Sequence, residues 1–331
     1  MLNIALVGFG YWGPNIAKQL YNNPDVKICY ICDKKQDRLD KAKSIYAAQI
    51  NYILNYSTIL DDNNIDAVAI AVETSTHFHL AKQVLLAGKH IFIEKPLASA
   101  VSEAIDLKLL SDKTGKIIHI DHVMMYHPCV QKIKELYNAG EIGEIVHFDA
   151  SRRNSGQVKE DVNVMWDLAI HDLSILDYLI NPGLPDSLFA IGYKTINKRE
   201  TLTSLMLKFG DLTANIKSHW LSSIKERKII IVGTKKMVVY DDVSLADKLK
   251  IYDSRLTSKI NDTNYSDYIV QAETENSFVP EIKISDALSN SISYFLSCVK
   301  FNMPSVSGPE QGIRLLKILE KADKWLAAGN N

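Results

Sequence analysis

The chain predicts an α/β fold in two parts, and three observations predict it. Over roughly the first 120 residues, short apolar runs alternate with helical patterns, the signature of a parallel sheet wound with helices. The first run, Ile4–Val7, leads directly into Gly8-Phe9-Gly10-Tyr11-Trp12-Gly13, which opens the first helix. After residue 145 strand-like segments follow one another closely, and Phe209-Gly210-Asp211-Leu212 marks a turn between two of them. The expected architecture is an N-terminal Rossmann dinucleotide-binding domain over residues 1–121. A C-terminal α+β domain with an open, largely antiparallel sheet follows over residues 122–331.

The helix from about Pro14 to Tyr21 has proline in its first turn, where the absent N–H has no partner to lose. Lys27–Cys32 is the second strand and ends at Asp33. Ala67–Val72 is a continuous apolar run between Asp66 and Glu73, as expected of a strand covered on both faces. The helix His77–Ala87 stops at Gly88, and His90–Ile93 and Ile117–Ile120 are further strands. Asp121–Pro128 leads out into an amphipathic helix, Cys129–Ala139, closed by Gly140. In the second part, Ile145–Ser151, Ser187–Thr195, Leu202–Phe209, Leu212–Trp220, Arg227–Val232 and Met237–Asp241 read as strands. One long helix, about Val164 to Ile180, follows the first of them and stops at Asn181-Pro182-Gly183. The polar stretch Asp253–Glu281 reads as a long connection with short elements. Helices over Ala287–Phe301 and Pro309–Ala328 close the chain.

At 331 residues the chain exceeds one typical core. Its formal net charge of -1 offers neither nucleic acid nor an anionic membrane the basic field it needs. No apolar run approaches the roughly 20 residues that span a bilayer. Met1–Val7 lacks a basic segment and reads as a first strand, not a signal peptide, so a cytoplasmic location is expected. Cys29 and Cys32 lie three apart on a strand and point to opposite faces, so they share neither a metal nor a disulfide. Buried, reduced thiols are the expectation for them and for Cys129 and Cys298. His77, His79, His119, His122 and His127 are scattered without a fixed cysteine or carboxylate pattern, and no metal site is expected.

The glycine turn has the context that a dinucleotide fold requires: a strand before it, a helix after it, and Asp33 at the end of the second strand. Gly8 permits the tight turn, Gly10 lets the backbone approach a pyrophosphate, and Gly13 lets helix and strand pack closely. The helix N-terminus then offers free N–H groups and a favourable dipole to the phosphates. Asp33 can accept hydrogen bonds from both adenosine ribose hydroxyls and repels a 2′-phosphate, which favours NAD. Lys34 and Lys35 partly offset that repulsion and leave NADP open.

Glu94-Lys95-Pro96 follows a buried strand, at the carboxyl edge where open α/β sheets bind ligands. An ammonium there can stabilise a developing alkoxide, and the alternative is a surface lysine. Asp167 and His171 are spaced i, i+4 on a helix whose other faces are apolar, so the pair is either satisfied internally or lines a cavity. An imidazole with a pKa near ~6.5 suits a general base, which Asp167 can orient. Asp172 reads as a helix N-terminal carboxylate or a contact between elements.

These pieces, with Leu97 after Pro96 and Trp166-Asp167-Leu168-Ala169-Ile170-His171-Asp172, resemble the glucose–fructose oxidoreductase / inositol dehydrogenase (Gfo/Idh/MocA) family. The resemblance covers nearly the whole chain, including Tyr137–Val146 and Gly308-Pro309-Glu310-Gln311-Gly312. It implies a nicotinamide-dependent oxidoreductase in which Lys95, Asp167 and His171 are the catalytic trio. It also implies cofactor contacts from Gly8, Phe9, Gly10, Tyr11, Trp12, Gly13, Asp33, Thr74, His79, Glu94 and Lys95. Thr74-Ser75-Thr76 stands where the family often has Thr-Pro-Asn. Homodimers or homotetramers through the open sheet are the implied assembly.

The stretch from Arg152-Arg153-Asn154-Ser155-Gly156 through Asp161-Val162-Asn163, with His122 and Tyr126-His127-Pro128, resembles the nucleotide-sugar 3-dehydrogenases within that family. That subgroup oxidises UDP-N-acetylglucosamine or its uronic acid. His122, Tyr126, Arg152, Asn154, Asn163, Asp167 and His171 are the implied substrate contacts. Arg152, Arg153 and Lys159 then meet a diphosphate or carboxylate, unless they are solvated loop charges. The rival readings are an inositol or free-sugar dehydrogenase, a 3-ketoreductase on a nucleotide deoxysugar, and a non-catalytic NAD-binding regulator.

Overall fold

The computed structural model describes residues 1–46, 49–155, 158, 162–195, 199–260 and 268–329, with the backbone alone at 155, 254–260 and 268–275. Gly156, Lys159 and Asp161, named above, lie outside them. The chain divides into two compact units, Met1–His127 with Ser285–Glu320, and Pro128–Ile284 with Lys321–Asn331. A single cut between residues 121 and 122 does not reproduce this division, because a C-terminal segment packs with the first unit.

In the first unit strands and helices alternate: β1 (Leu2–Val7), α1 (Gly13–Tyr21), β2 (Val26–Cys32), α2 (Gln36–Ile45), β3 (Asn51–Ile53) and α3 (Ser57–Asp61). Then come β4 (Ala67–Ile70), α4 (Thr74–Leu86), β5 (His90–Glu94), α5 (Val101–Thr114), β6 (Ile118–Asp121) and a 3-10 turn, Val123–Tyr126. The six strands pair in parallel in the order β3-β2-β1-β4-β5-β6. Strand order reverses between β1 and β4, the crevice where doubly wound sheets bind ligands. β4 and β5 are almost wholly buried because helices cover both faces of a parallel sheet.

The second unit begins with α6 (Pro128–Asn138) and β7 (Ile145–Ser155). A single π-helical turn, Met165–Ala169, leads into α7 (Ile170–Ile180). The strands β8 (Ser187–Lys194), β9 (Glu200–Phe209), β10 (Leu212–His219), β11 (Leu221–Gly233), β12 (Lys236–Asp241), β13 (Leu249–Ile260) and β14 (Tyr268–Phe278) follow. They form one sheet in the order β14-β13-β12-β11-β7-β10-β9-β8, antiparallel except for β10 beside β7. Two helices, α8 (Ala287–Phe301) and α9 (Pro309–Ala327), end the chain.

α8 returns to the first sheet for a physical reason. Leu288, Ile292, Phe295 and Leu296 fall at helical spacing and are buried in the same core as Ile4, Leu6 and Phe92. Phe295 meets Phe92 edge-on, with ring centroids 5.7 Å apart. Each such side chain contributes about 1.5–3 kcal/mol when fully buried.

Two elements depart from the sequence expectation. The stretch Asp253–Glu281 is mostly strand: β13 and β14 pair from Ile251↔Phe278 to Ile260↔Tyr268. Backbone pairing at a sheet edge needs no apolar alternation, so the polar side chains concealed it. The long helix starts with a π turn, which shifts the faces that Asp167 and His171 present. Of the free cysteines Cys32, Cys129 and Cys298 are buried, whereas Cys29 is partly exposed. Among the described residues no helix is long and apolar enough to cross a membrane.

Candidate active site

At the strand-order reversal, the backbone leaves β1 through Gly8 at a φ of +100°, a conformation that disfavours any Cβ. A Cβ on Gly8 would stand 2.3 Å from the Ala71 carbonyl oxygen, and one on Gly13 only 2.1 Å from that of Gly8. The glycines therefore keep a tight backbone loop at the start of α1, where the free N–H groups and dipole of a helix N-terminus favour a phosphate group. Phe9 is buried against Tyr46, whereas Tyr11 is 96% exposed and its ring stacks on Trp12.

Asp33 is 5% exposed and fixed from both sides. The Phe9 N–H donates to Oδ2 at 2.7 Å and the Lys35 N–H to Oδ1 at 2.9 Å. The Arg38 guanidinium pairs with Oδ2 at 3.2 Å and faces Gly10, whose added Cβ would meet Nη1 at 3.3 Å. Sequence reasoning missed Arg38, although the first turn of a helix beginning at Gln36 brings residue 38 back towards the end of β2. The glycine loop and the held carboxylate fit a dinucleotide: a phosphate cradle with a fixed acceptor for ribose hydroxyls.

Glu94 ends β5 in a buried position and half-buried Lys95 follows it. His77 bridges the segments that follow β4 and β5. Its Nδ1 lies 2.8 Å from the Pro96 carbonyl oxygen and its Nε2 3.1 Å from that of Val72. That ties the segment carrying Lys95 to the end of β4. Thr74 opens α4, and its carbonyl accepts from the Ser99 hydroxyl at 3.3 Å. His79 is exposed with its ring against Phe78. His122 and Tyr126 are buried inside the first unit, and Tyr126 packs against His119 and Tyr294.

In the second unit the π turn and α7 carry Asp167 and His171, both half-buried. Asp167 Oδ2 accepts a 3.1 Å hydrogen bond from Trp220 Nε1, and Trp220 is buried with Val164 and Leu168. π turns recur at functional sites because the extra residue re-aims the side chains around it.

Two expected substrate contacts have partners within the protein. Arg152 is 3% exposed and closes on Asp172, with Nε–Oδ2 at 3.1 Å and Nη2–Oδ1 at 2.7 Å. This bidentate pair ties β7 to α7 and explains Asp172, whereas Arg152 had been expected to face a diphosphate or carboxylate. Asn163 is likewise occupied. Its Nδ2 donates to Asp323 Oδ1 at 2.9 Å, and its Oδ1 accepts from the Trp166 N–H at 3.2 Å. Asp323 also accepts from Trp166 Nε1 at 2.7 Å, and burial raises its carboxyl pKa. Asn154 is half-buried on β7, and Arg153, on the same strand, faces Glu226 at 3.6 Å.

The family model described as "Oxidoreductase family, NAD-binding Rossmann fold" (GFO/IDH/MocA) matches residues 2–122. The GFO/IDH/MocA C-terminal domain matches residues 130–239. An uncharacterized oxidoreductase of Bacillus subtilis (strain 168), YrbE, is 23% identical over 98% of this chain and 94% of its own length. A scyllo-inositol 2-dehydrogenase (NAD(+)) of the same organism is 28% identical, but the match spans 53% of each chain. The solved structure of UDP-N-acetylglucosamine 3-dehydrogenase GnnA from Acidithiobacillus ferrooxidans superposes with a TM-score of 0.82. It is 22% identical and covers 99% of this chain and 98% of its own.

Proposed function

The chain belongs to the Gfo/Idh/MocA oxidoreductase family, and from that premise we propose that it oxidises C3 of a nucleotide-activated amino sugar, UDP-N-acetylglucosamine or its uronate. The observation that carries the redox chemistry is the glycine cradle with Asp33 fixed at its rim. NAD, when bound, supplies the acceptor for the hydride that leaves the hydroxyl-bearing carbon. The cradle binds its pyrophosphate, and Asp33 accepts from the adenosine ribose hydroxyls. Lys95 donates to the reacting hydroxyl and stabilises the charge that grows on its oxygen. His171 takes the hydroxyl proton, and Asp167, braced by Trp220, orients the imidazole.

The sugar assignment is supported by the sequence resemblance from Arg152 through Asn163, with His122 and Tyr126-His127-Pro128, and by the full-length fold likeness to GnnA. A second reading, an inositol or free-sugar dehydrogenase, is favoured by a specific observation. Arg152 and Asn163 are spent on Asp172 and Asp323, which removes two groups that a nucleotide substrate would use. Homo-oligomerisation through the second unit's sheet is supported by β8, whose Phe189, Ile191 and Tyr193 are all exposed. Sedimentation velocity at micromolar concentration checks it, and a monomer there defeats it.

The decisive experiment follows NADH absorbance with UDP- and dTDP-sugars, uronates and inositols. Oxidation of a UDP-amino sugar at C3 supports the proposal, and turnover of inositol alone replaces it with the second reading. His171→Asn should cut kcat by about 10²–10⁴ while NAD still binds by calorimetry. Near-wild-type turnover of that variant removes His171 from its role. Binding of NAD and a sugar nucleotide without any turnover makes the protein a regulator.

A further inference from the structure

The last turns of α9 belong to the second unit, and there they meet the start of the π turn. Asp323 uses both carboxyl oxygens. Its Oδ1 accepts from Asn163 Nδ2 at 2.9 Å and its Oδ2 from Trp166 Nε1 at 2.7 Å, so one carboxylate spans the entry to the turn. Asn163 is engaged on every side. Its Nδ2 also lies 3.4 Å from Glu200 Oε2, and its Oδ1 accepts the Trp166 N–H at 3.2 Å, as an N-cap acceptor does. Its backbone carbonyl accepts the Asp167 N–H at 3.3 Å. Asn163 and Trp166 are buried, so little water is at hand to replace these bonds.

Asp323 is itself held in place. Two residues on, Trp325 meets Phe189 of β8 with ring centroids 5.0 Å apart, and Leu326 is buried. Burial pushes the Asp323 carboxyl pKa up and Glu200 adds to this, whereas the Trp166 and Asn163 donors and Arg199 favour the ionised form. The proposed reaction makes no use of this carboxylate.

A π turn carries one residue more than an α turn. If it relaxed to α-helical pitch, side chains on its two sides would rotate by about 100° relative to each other, the step of one residue at 3.6 per turn. Asp167 lies within the turn and His171 is the second residue of α7, so what holds the turn decides where both point.

We propose that Asp323 is a positioning residue for the catalytic pair: by holding Asn163 and Trp166 together, its carboxylate sets the π turn and with it the direction of Asp167 and His171. This rests on the reading of Asp167 and His171 as catalytic.

Nitrogen-15 labelling of the tryptophan indoles tests the link in the full chain without turnover. The chain has four tryptophans, and Trp220 reports on Asp167 through its own hydrogen bond. Single phenylalanine replacements assign the resonances. Asp323→Asn keeps the side-chain shape but turns one acceptor oxygen into an N–H donor. It should move the Trp166 indole resonance and, through the turn, that of Trp220, while Trp12 in the first unit stays where it was. Kinetics read the consequence. In Asp323→Asn kcat should fall on the order of 10²-fold, the scale of a small misplacement of reacting groups, with NAD affinity by calorimetry unchanged. Trp166→Phe removes the indole donor and leaves the Asn163 link, so it should also move the Trp220 resonance and lower kcat less. Circular dichroism establishes folding, and Trp166→Phe carries the test if Asp323→Asn does not fold. An unmoved Trp220 resonance in the folded variant overturns the proposal. So does a wild-type kcat, or a fall in kcat matched by an equal loss of NAD affinity, which marks general loosening. If the Trp220 resonance moves but wild type oxidises no alcohol, the link from Asp323 to Asp167 stands and the catalytic reading of the pair fails.

Discussion

The glycine turn and the Asp167 helix are held in place by different kinds of force. Around the turn the constraint is backbone sterics: Gly8 and Gly13 are needed because main-chain oxygens leave no room for a Cβ. Around Asp167 the constraint is side-chain pairing over long sequence separations. Trp220 reaches Asp167 from 53 residues away, and Asp323 reaches Asn163 from 160. A steric demand writes itself into adjacent residues as a motif, whereas a pairing demand is split between distant positions.

The largest effect that separates the two regions is expected at Arg152. If it holds β7 to α7, Arg152→Ala leaves Asp172 charged and buried without its partner. The loss of stability should be about 3–5 kcal/mol, read as a lower urea midpoint. Replacing both members with apolar residues, Arg152→Met with Asp172→Leu, should recover most of that loss, because no uncompensated charge is left. A near-neutral Arg152→Ala with a raised KM for a nucleotide sugar would return Arg152 to the substrate and erase the contrast.

That contrast also explains what was legible beforehand. The parallel sheet, the turn, Asp33 and most strands of the second sheet follow from periodicity and glycine placement, which depend on near neighbours. β13 and β14 escaped because edge pairing tolerates polar residues on both faces. α8 was placed correctly in sequence, but nothing local says that Phe295 packs on Phe92. Arg152 and Asn163 carry the right residue types for a ligand and differ only in having internal partners. Lys95, Asp167 and His171 form a set only in what the family resemblance implies, since each alone fits a structural role. Asp323 looks like any polar residue on a closing helix until Asn163 and Trp166 meet it.

The smaller effects sharpen the comparison from the side of the turn, and they concern cofactor choice. Asp33→Ala should narrow the preference for NAD over NADP by about 1–3 kcal/mol in calorimetric titrations, the scale of hydrogen bonds to a charged group. Its stability cost should be small beside that of Arg152→Ala, because the glycines keep the loop on their own. Arg38→Met should act in the opposite direction and less. Arg38 neutralises part of the Asp33 charge and, paired with that carboxylate, is a cation that a 2′-phosphate at Asp33 would meet. With its side chain 37% exposed, solvent screens it, so removing it should strengthen the preference for NAD by about 1 kcal/mol or less. The carboxylate should not move when Arg38 is gone, since the N–H groups of Phe9 and Lys35 still hold its two oxygens. The double variant then separates the contributions. If Asp33 acts by charge and position alone, adding Arg38→Met to Asp33→Ala should weaken NADP further and leave NAD affinity as in Asp33→Ala. If Arg38→Met by itself weakens NAD, the guanidinium is what places Asp33, and the turn depends on a side-chain pair just as the Asp167 helix does.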